Sequence, residues 1–441
     1  MDSSFYLLSQ KTKPVWHWSR NVLQVIYHSL PASIRNAVAF ILAYEYRSAD
    51  EDNWLIVTVK WIVNFVLVYF PLFYGLRFLQ RYFSDSPYYP FKYEILQTTT
   101  RVIFTRSKRS GREICLKFWR RTEDEVCDER LIVRSDEYLI EGLAFNKKFA
   151  PGVYLGIATV IVSDDNKHIQ RGPLIEHPLK EQLMNGERYA LVMRTLNKGQ
   201  RLDYQLVKRK VDIDFLAHEV ALMHHHLEQS SNSDIYGRPD RIAAKLRLNN
   251  ELFLDAMNEL FSSGYKNYVW IGACLKDACN IYSSLFESRC TEGHIKRCHG
   301  DLKVTNLWVR SSPVPYFQSK LLALDCIDFK PEFCFIDTLS DVAMLVVELE
   351  RLCPQETELV KRFLHSYLSD MQENLEFVEP LLEYYLTEKA IVCSYVSILF
   401  DDQWHELGKK YLQIACNHAQ RLRELVEDAK HIQAKQPVYS N

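Results

Sequence analysis

The sequence predicts an α+β chain with a strand-rich lobe and a helical lobe, preceded by a helical hydrophobic extension. Three observations carry this. Short runs between Tyr93 and Arg194 alternate apolar with polar residues, the period of half-buried strands. From Asp212 onward the apolar residues recur at helical spacing. Residues 1–90 differ from both, being strongly apolar without strand alternation. At 441 residues the chain exceeds the usual single core, and 47% hydrophobic with 25% charged residues suits an ordered globular protein. The expected boundaries are 1–90 for the extension, 91–197 for the strand-rich lobe and 198–441 for the helical lobe.

Asn21–Tyr46 carries helical apolar spacing around a turn signal at Leu30-Pro31-Ala32-Ser33. Trp54–Leu76 is a run of 23 residues whose only charge is Lys60. That length suits a bilayer crossing of roughly 20 residues. Its apolar side chains favour insertion by roughly 0.3–0.6 kcal/mol each and together outweigh Lys60, Asn64 and Pro71. A buried helix, or one lying on a membrane surface, fits the same pattern, and the sequence leaves these alternatives open. The flanks are acidic at Asp50-Glu51-Asp52 and basic at Arg77, Arg81 and Lys92, a slight bias that places the C-terminal side in the cytosol. The expected location is cytoplasmic, at the inner face of the membrane if 54–76 inserts. Ser84–Pro90, with two prolines and paired tyrosines, reads as a linker.

Glu94–Gln97 and Arg101–Phe104 read as strands, and Lys108–Arg112 as a hairpin turn into the alternating strand Glu113–Phe118. A lysine such as Lys117 in that strand would ordinarily face solvent. Asp136–Phe149 reads as a helix carrying Glu137 and Glu141, ended by Ala150-Pro151. Val153–Val162 and Tyr189–Arg194 are further strands, and Thr195–Gly199 leads out as a hinge whose backbone can bind adenine. Met193 and Thr195 are the residues there assigned to the nucleotide. Helices follow at Phe215–Leu227, Ile242–Phe261 and Gly264–Glu287. The triplet His224-His225-His226 invites a metal reading, but adjacent helical residues point about 100° apart and cannot converge on one ion, so the triplet is structural. A hairpin pairs Leu307–Val309 with Leu321–Leu324 around Ser311–Lys320. Ser340 is a good cap for a helix over Asp341–Leu352, and helices fill Glu356–Asp428 before the polar end Lys430–Asn441.

The chemistry concentrates in His299-Gly300-Asp301-Leu302-Lys303-Val304-Thr305-Asn306 and, after the next apolar run, Asp325. An Asp, an Asn five positions on and a second Asp form the acidic half of a phosphoryl-transfer site. Asp301 would orient an attacking hydroxyl and accept its proton, while Asn306 and Asp325 offer the oxygen ligands that Mg²⁺ requires. The other half is a strand lysine held against nucleotide phosphates by a helix carboxylate, Lys117 with Glu137 or Glu141.

His299-Gly300-Asp301-Leu302-x-x-x-Asn306 resembles the catalytic loop of aminoglycoside phosphotransferase-like kinases, which share the bilobal protein-kinase-like fold and mostly phosphorylate small molecules. Asn146-Lys147-Lys148-Phe149-Ala150-Pro151-Gly152-Val153-Tyr154-Leu155-Gly156, the Val192-Met193-Arg194 strand, Leu324–Phe329 and Phe335-Ile336-Asp337-x-x-x-Asp341-Val342-Ala343 extend the likeness. They resemble a bacterial branch often fused to a P-loop ATP-binding domain. The resemblance covers residue 93 to the C-terminal helices. It implies ATP and Mg²⁺ as cofactors, with Asp301 as base, Asn306 and Asp325 as metal ligands, and Lys117 on the phosphates with Glu141 as its likelier partner. It also implies that His299 and Asp341 fix the loop, and it leaves Asp328 supporting either Mg²⁺ or substrate. Three departures matter. No Gly-x-x-x-x-Gly-Lys-Ser/Thr occurs, so the fused domain is missing; residues 1–90 have no counterpart; and Lys303 stands where these kinases often carry His. A lysine there is reminiscent of Ser/Thr protein kinases, yet only 15 residues separate Asp325 from Asp341, too few for a peptide-docking segment.

The expected activity is transfer of the γ-phosphate of ATP to a hydroxyl of a small molecule. A nucleotide-binding pseudokinase or membrane-attached scaffold and a protein Ser/Thr kinase are the alternatives. A formal charge of −2 with no basic tract argues against a nucleic-acid partner. The 11 cysteines are scattered without Cys-x-x-Cys pairs, the pattern of free thiols in a reducing cytosol. Cys290 and Cys298 beside His294 and His299 match no common zinc spacing.

Overall fold

The structure is a computed structural model. It describes residues 88–435 except 95–99, 108–112, 120–135, 163–168, 180, 182, 184–186, 230–232, 311–319, 329 and 401. The hydrophobic extension with its 54–76 segment and the 108–112 turn therefore lie outside the described residues. All described residues belong to one compact unit, Asp85–Asn441.

The first part is a curled antiparallel sheet. Its strands are β1 (Tyr88–Glu94), β2 (Thr100–Ser107), β3 (Glu113–Trp119), β4 (Tyr154–Val162), β5 (Ile169–Arg171) and β6 (Tyr189–Arg194), in the order β1-β2-β3-β6-β4-β5. The sheet closes where Tyr88 pairs with Ile169. The expected linker is thus corrected: Tyr88–Pro90 is strand. Its paired tyrosines are good strand formers, and the register shifts between Pro90 and Lys92, the bulge that lets a proline sit in an antiparallel pair. Alternation along β3 sorts its side chains. Ile114, Leu116 and Phe118 join Ile103, Ala158, Val160, Ala190 and Val192 on one face. Cys115 joins Val102, Tyr154, Leu191 and Met193 on the other, under helix α1 (Asp136–Phe149), which contributes Leu139 and Leu143.

The second part is helical. It contains α2 (Leu202–Val207), α3 (Ile213–His225), α4 (Ser233–Tyr236), α5 (Pro239–Phe261), α6 (Val269–Ile281) and α7 (Ser283–Thr291). Proline occupies the first turn of α5, where its missing N–H costs nothing. The single helix expected over Gly264–Glu287 is a 3₁₀ turn and two α-helices broken at Tyr282. Next come β7 (Ile295–Arg297), the hairpin β8 (Leu307–Arg310) and β9 (Lys320–Ala323), α8 (Pro331–Cys334) and β10 (Phe335–Asp337), which pairs with β7. Helices α9 (Thr338–Leu352), α10 (Thr357–Asp370), α11 (Leu375–Phe400) and α12 (His405–Lys435) complete it. The cap of α9 is Asp337 rather than Ser340: Asp337 accepts from Leu339 N at 2.9 Å, and Ser340 is buried inside the helix. Asp337 also takes a two-pronged bond from Arg289, which reaches on to Glu373. Leu302 and Val304, from the segment between β7 and β8, and Leu307, which opens β8, sit in the main helical core with α9 and α11. Among the described residues no helix is long and apolar enough to cross a membrane.

Three helices meet at His418 on α12, whose ring nitrogens lie 2.8 Å from Glu383 of α11 and 2.9 Å from Glu350 of α9. Burial opposes a charge there, but the two glutamates outweigh it and raise the imidazole to about 10. The folded value lies above the unfolded one. The stabilisation is therefore complete below pH 6.5 and is lost as pH rises through about 10. His418→Gln is expected to lower urea stability clearly near pH ~6 and much less above pH ~10. A pH-independent difference between the two proteins would contradict this assignment.

Candidate active site

Lys117 occupies the α1-facing side of β3, with its Cα opposite Val102 and Leu191. Its ammonium makes an ion pair with Asp325. Burial disfavours the charge, but Asp325 and then Asp328 reverse that and hold the Lys117 ammonium above the ordinary lysine range. Asp325 follows β9 with a left-handed φ of +66°, which few residues other than glycine adopt and which aspartate tolerates better than most. The Asp325 amide donates to Tyr154 Oη at 2.9 Å and the Cys326 amide to Asn146 Oδ1 at 3.1 Å, docking this turn on β4 and α1. Asn146 in turn donates to the Gly142 carbonyl at 2.9 Å.

The expected pair of Lys117 with Glu141 is not formed. The Glu141 side chain is 56% exposed, 3.7 Å from Arg297 Nη1. The Arg297 guanidinium lies 3.2 Å from the centroid of the Phe145 ring one turn on. The face of α1 turned towards Asp328 is that of Gly142: a Cβ added to Gly142 would fall 2.0 Å from Asp328 Oδ2. The side chain of Glu137 lies outside the described residues. Burial pushes the Asp328 carboxyl up to about 7; Lys117 opposes that rise and Asp325 adds to it.

The His299–Asn306 segment is fixed from below. Asp341, wholly buried, accepts from His299 N at 3.0 Å and from Gly300 N at 2.9 Å. Its Oδ2 also lies 3.2 Å from His224 Nε2, and His224 Nδ1 lies 2.7 Å from Tyr367 Oη. Burial alone would raise the Asp341 carboxyl, but His224, His299 and the Gly300 amide hold it below the usual range. His224, Cys298 and Asp341 stand close enough to suggest a metal, yet Cys298 Sγ also donates to Ile336 O, so hydrogen bonds already engage every member. His225 and His226 are exposed, as their divergent directions require. His299 is buried, its Nε2 2.9 Å from Leu324 O and its ring edge-on to Phe149; burial lowers its pKa, which favours the neutral imidazole. Gly300 has φ +83°, and a Cβ there would meet Phe333 O at 2.7 Å. Only glycine combines that φ with that clearance.

Above this base, Asp301 presents a carboxylate between two donors. Lys303 Nζ is 2.8 Å from its Oδ1, and Asn306 Nδ2 donates to its Oδ2 at 3.0 Å. Burial would raise the Asp301 carboxyl, but Lys303 foremost holds it below the ordinary value, so it is ionised at neutral pH. With Nδ2 committed to Asp301, Asn306 keeps Oδ1 as a ligand atom, and the Asn306 carbonyl accepts from Leu324 N at 2.8 Å, next to Asp325. Asp325 and Asn306 thus supply oxygen donors, which fit Mg²⁺. At the hinge, Met193 is buried in β6 beside Cys115 and Tyr154, and the buried Thr195 Oγ1 has no hydrogen-bond partner. Asn146, Tyr154, Gly142, His224 and Arg297 also belong to the site, and residue type and spacing mark none of them for it, although Asn146 and Tyr154 lie within the Asn146–Gly156 stretch.

No family model and no curated protein matches the sequence. Among solved structures, the chain is similar to an ethanolamine kinase of Plasmodium vivax, at 13% identity over 74% of this chain and 82% of that one, with a TM-score of 0.41. A choline kinase from Cryptosporidium parvum aligns at 13% identity over 79% and 95%, TM-score 0.43. An aminoglycoside phosphotransferase from Streptomyces rimosus aligns at 13% identity over 73% and 98%, TM-score 0.38.

Asp341→Asn replaces one acceptor oxygen by an amide that confronts donors. It is expected to cost at least ~1.5–3 kcal/mol, the worth of one hydrogen bond to a charged group. Urea unfolding measures the loss, and faster exchange of the His299 and Gly300 amides locates it. Unchanged exchange at both amides would contradict the anchoring role.

Proposed function

We propose that the protein is an ATP- and Mg²⁺-dependent phosphotransferase acting on a hydroxyl of a small molecule. One observation carries the reading: contacts run without a break from Lys117 to Asp325, from Leu324 beside it to Asn306, and from Asn306 to Asp301. A cation for phosphate, oxygen ligands for a hard metal and an ionised carboxylate therefore share one site.

Bound together, the nucleotide and Mg²⁺ would supply the phosphoryl group and neutralise the charge that develops on it. Asn306 Oδ1 and the Asp325 carboxylate would hold the metal, and Lys117 would turn from Asp325 towards the phosphates. The backbone at Thr195 and the Met193 side chain would flank the adenine. Asp301 would accept a hydrogen bond from the acceptor hydroxyl and take its proton as the new O–P bond forms and the bond to the leaving phosphate oxygen breaks. Lys303 keeps Asp301 ionised and stands where it can also meet the transferred phosphate. His299 acts on this chemistry through the loop it fixes.

The acceptor we infer is a small molecule. The chain between Asp325 and Asp341 is taken up by α8 and by β10 on β7, which supports this over a peptide substrate. Balanced charge argues against nucleic acid. Ten free cysteines among the described residues suit a reducing cytoplasm. If 54–76 engages a membrane, a lipid-linked acceptor is favoured.

Asp301→Asn is expected to cut ATP-dependent phosphorylation of a small-molecule extract by roughly 10²–10⁴-fold, the usual worth of a general base, with folding retained. Turnover unchanged in that variant would sink the assignment. Slow Mg²⁺-dependent ATP hydrolysis, lost in Asp325→Asn, separates an enzyme from a nucleotide-binding scaffold.

A further inference from the structure

We infer that Asp328, not Glu141, is the anionic partner that positions Lys117 when Asp325 is engaged with metal. This rests on the phosphotransferase reading and names a residue that the reading leaves without a role.

The rotation of α1 decides which of its residues face the site. Adjacent helical residues point about 100° apart. Gly142 and Asn146, one turn apart, both contact the Asp325–Asp328 turn, so they define the face that looks into the site. Glu141 must then point away, and it does, towards Arg297 at the base of the loop. The absent side chain at Gly142 leaves the space that Asp328 fills, with Oδ2, Cγ and Cβ all within 2.9 Å of the position a Cβ would take. A glycine within a helix costs about 1 kcal/mol relative to alanine, so the clearance is maintained against local preference. Asp325 makes the ion pair with Lys117, and Asp328, three residues on in the same turn, also favours the charged ammonium. A metal that takes up the charge of Asp325 weakens its pair with Lys117. The group left to pair with the ammonium is Asp328, on the same short turn: metal on Asp325 removes the push that Asp325 exerts on the Asp328 carboxyl, and Lys117 favours its ionised form. Asp328 would act through Lys117 and is a positioning residue.

Two measurements test this. The first needs no nucleotide: a double-mutant cycle on urea unfolding with Lys117→Met. Coupling is expected with Asp328→Asn, and additivity with Glu141→Gln. The second is the affinity for ADP with Mg²⁺. Asp328→Asn is expected to weaken it roughly 10-fold or more, the usual cost of removing a residue that orients a ligand-holding group. Asp328→Glu is expected to restore part of that affinity, and Glu141→Gln to leave it unchanged. Gly142→Ala, which displaces Asp328 without altering its charge, is expected to reproduce the loss if Asp328→Asn folds poorly. Coupling of Lys117 to Glu141 instead of Asp328, or full affinity in both Asp328→Asn and Gly142→Ala, would overturn the inference. Wild-type protein that binds no nucleotide would overturn the proposed function, and the unfolding cycle would still decide whether Asp328 or Glu141 is coupled to Lys117.

Discussion

The site depends on one buried carboxylate. Asp341 collects amides from His299 and Gly300 and faces the imidazole of His224, and no solvent reaches it. A carboxylate in such a place is stable only when donors fill its lone pairs, and the donors come from α3 and the loop, tying both to α9. The backbone of His299–Asn306 is consequently set by the helical core, not by its own preferences. Gly300 supplies the left-handed turn this demands, and Leu302 and Val304 pin the segment into the core. Asp301 stands on this platform and inherits its rigidity.

The sheet contributes Lys117 to that platform, and polar contacts hold the halves together near it. Tyr154 and Asn146 bind the backbone of the Asp325 turn, while Arg297, immediately before the loop, lies against Glu141 and Phe145 of α1. Glu141, the partner expected for Lys117, is instead turned to Arg297 beside the loop. Charge in the site is then balanced locally: Lys117 sits against Asp325 with Asp328 close by, and Lys303 against Asp301.

Much of this was legible in the sequence. Alternation over Glu113–Phe118 put Lys117 on a defined face, and the bounds of α1 followed from its spacing and the Ala150-Pro151 stop. Asp301, Asn306 and Asp325 were marked by residue type and order. The orientation of α1 was not legible, because it is set by Gly142, whose contribution is a missing side chain, and by a turn nearly two hundred residues away. Ser340 and Asp337 are comparable caps on paper; the choice was made by Arg289, which draws Asp337 into place and leaves Ser340 to be buried. Tyr88–Pro90 reads as linker because a bulge that admits a proline has no local signature.

The left-handed backbone at Asp325 sets folding against chemistry at one position. Glycine would relieve that conformation entirely and would remove the carboxylate that meets Lys117. The substitutions most comfortable for the backbone are thus those that disarm the site. Selection for thermal robustness alone would push this chain towards a well-folded protein that has lost its chemistry, so libraries screened for stability should hold Asp325 constant.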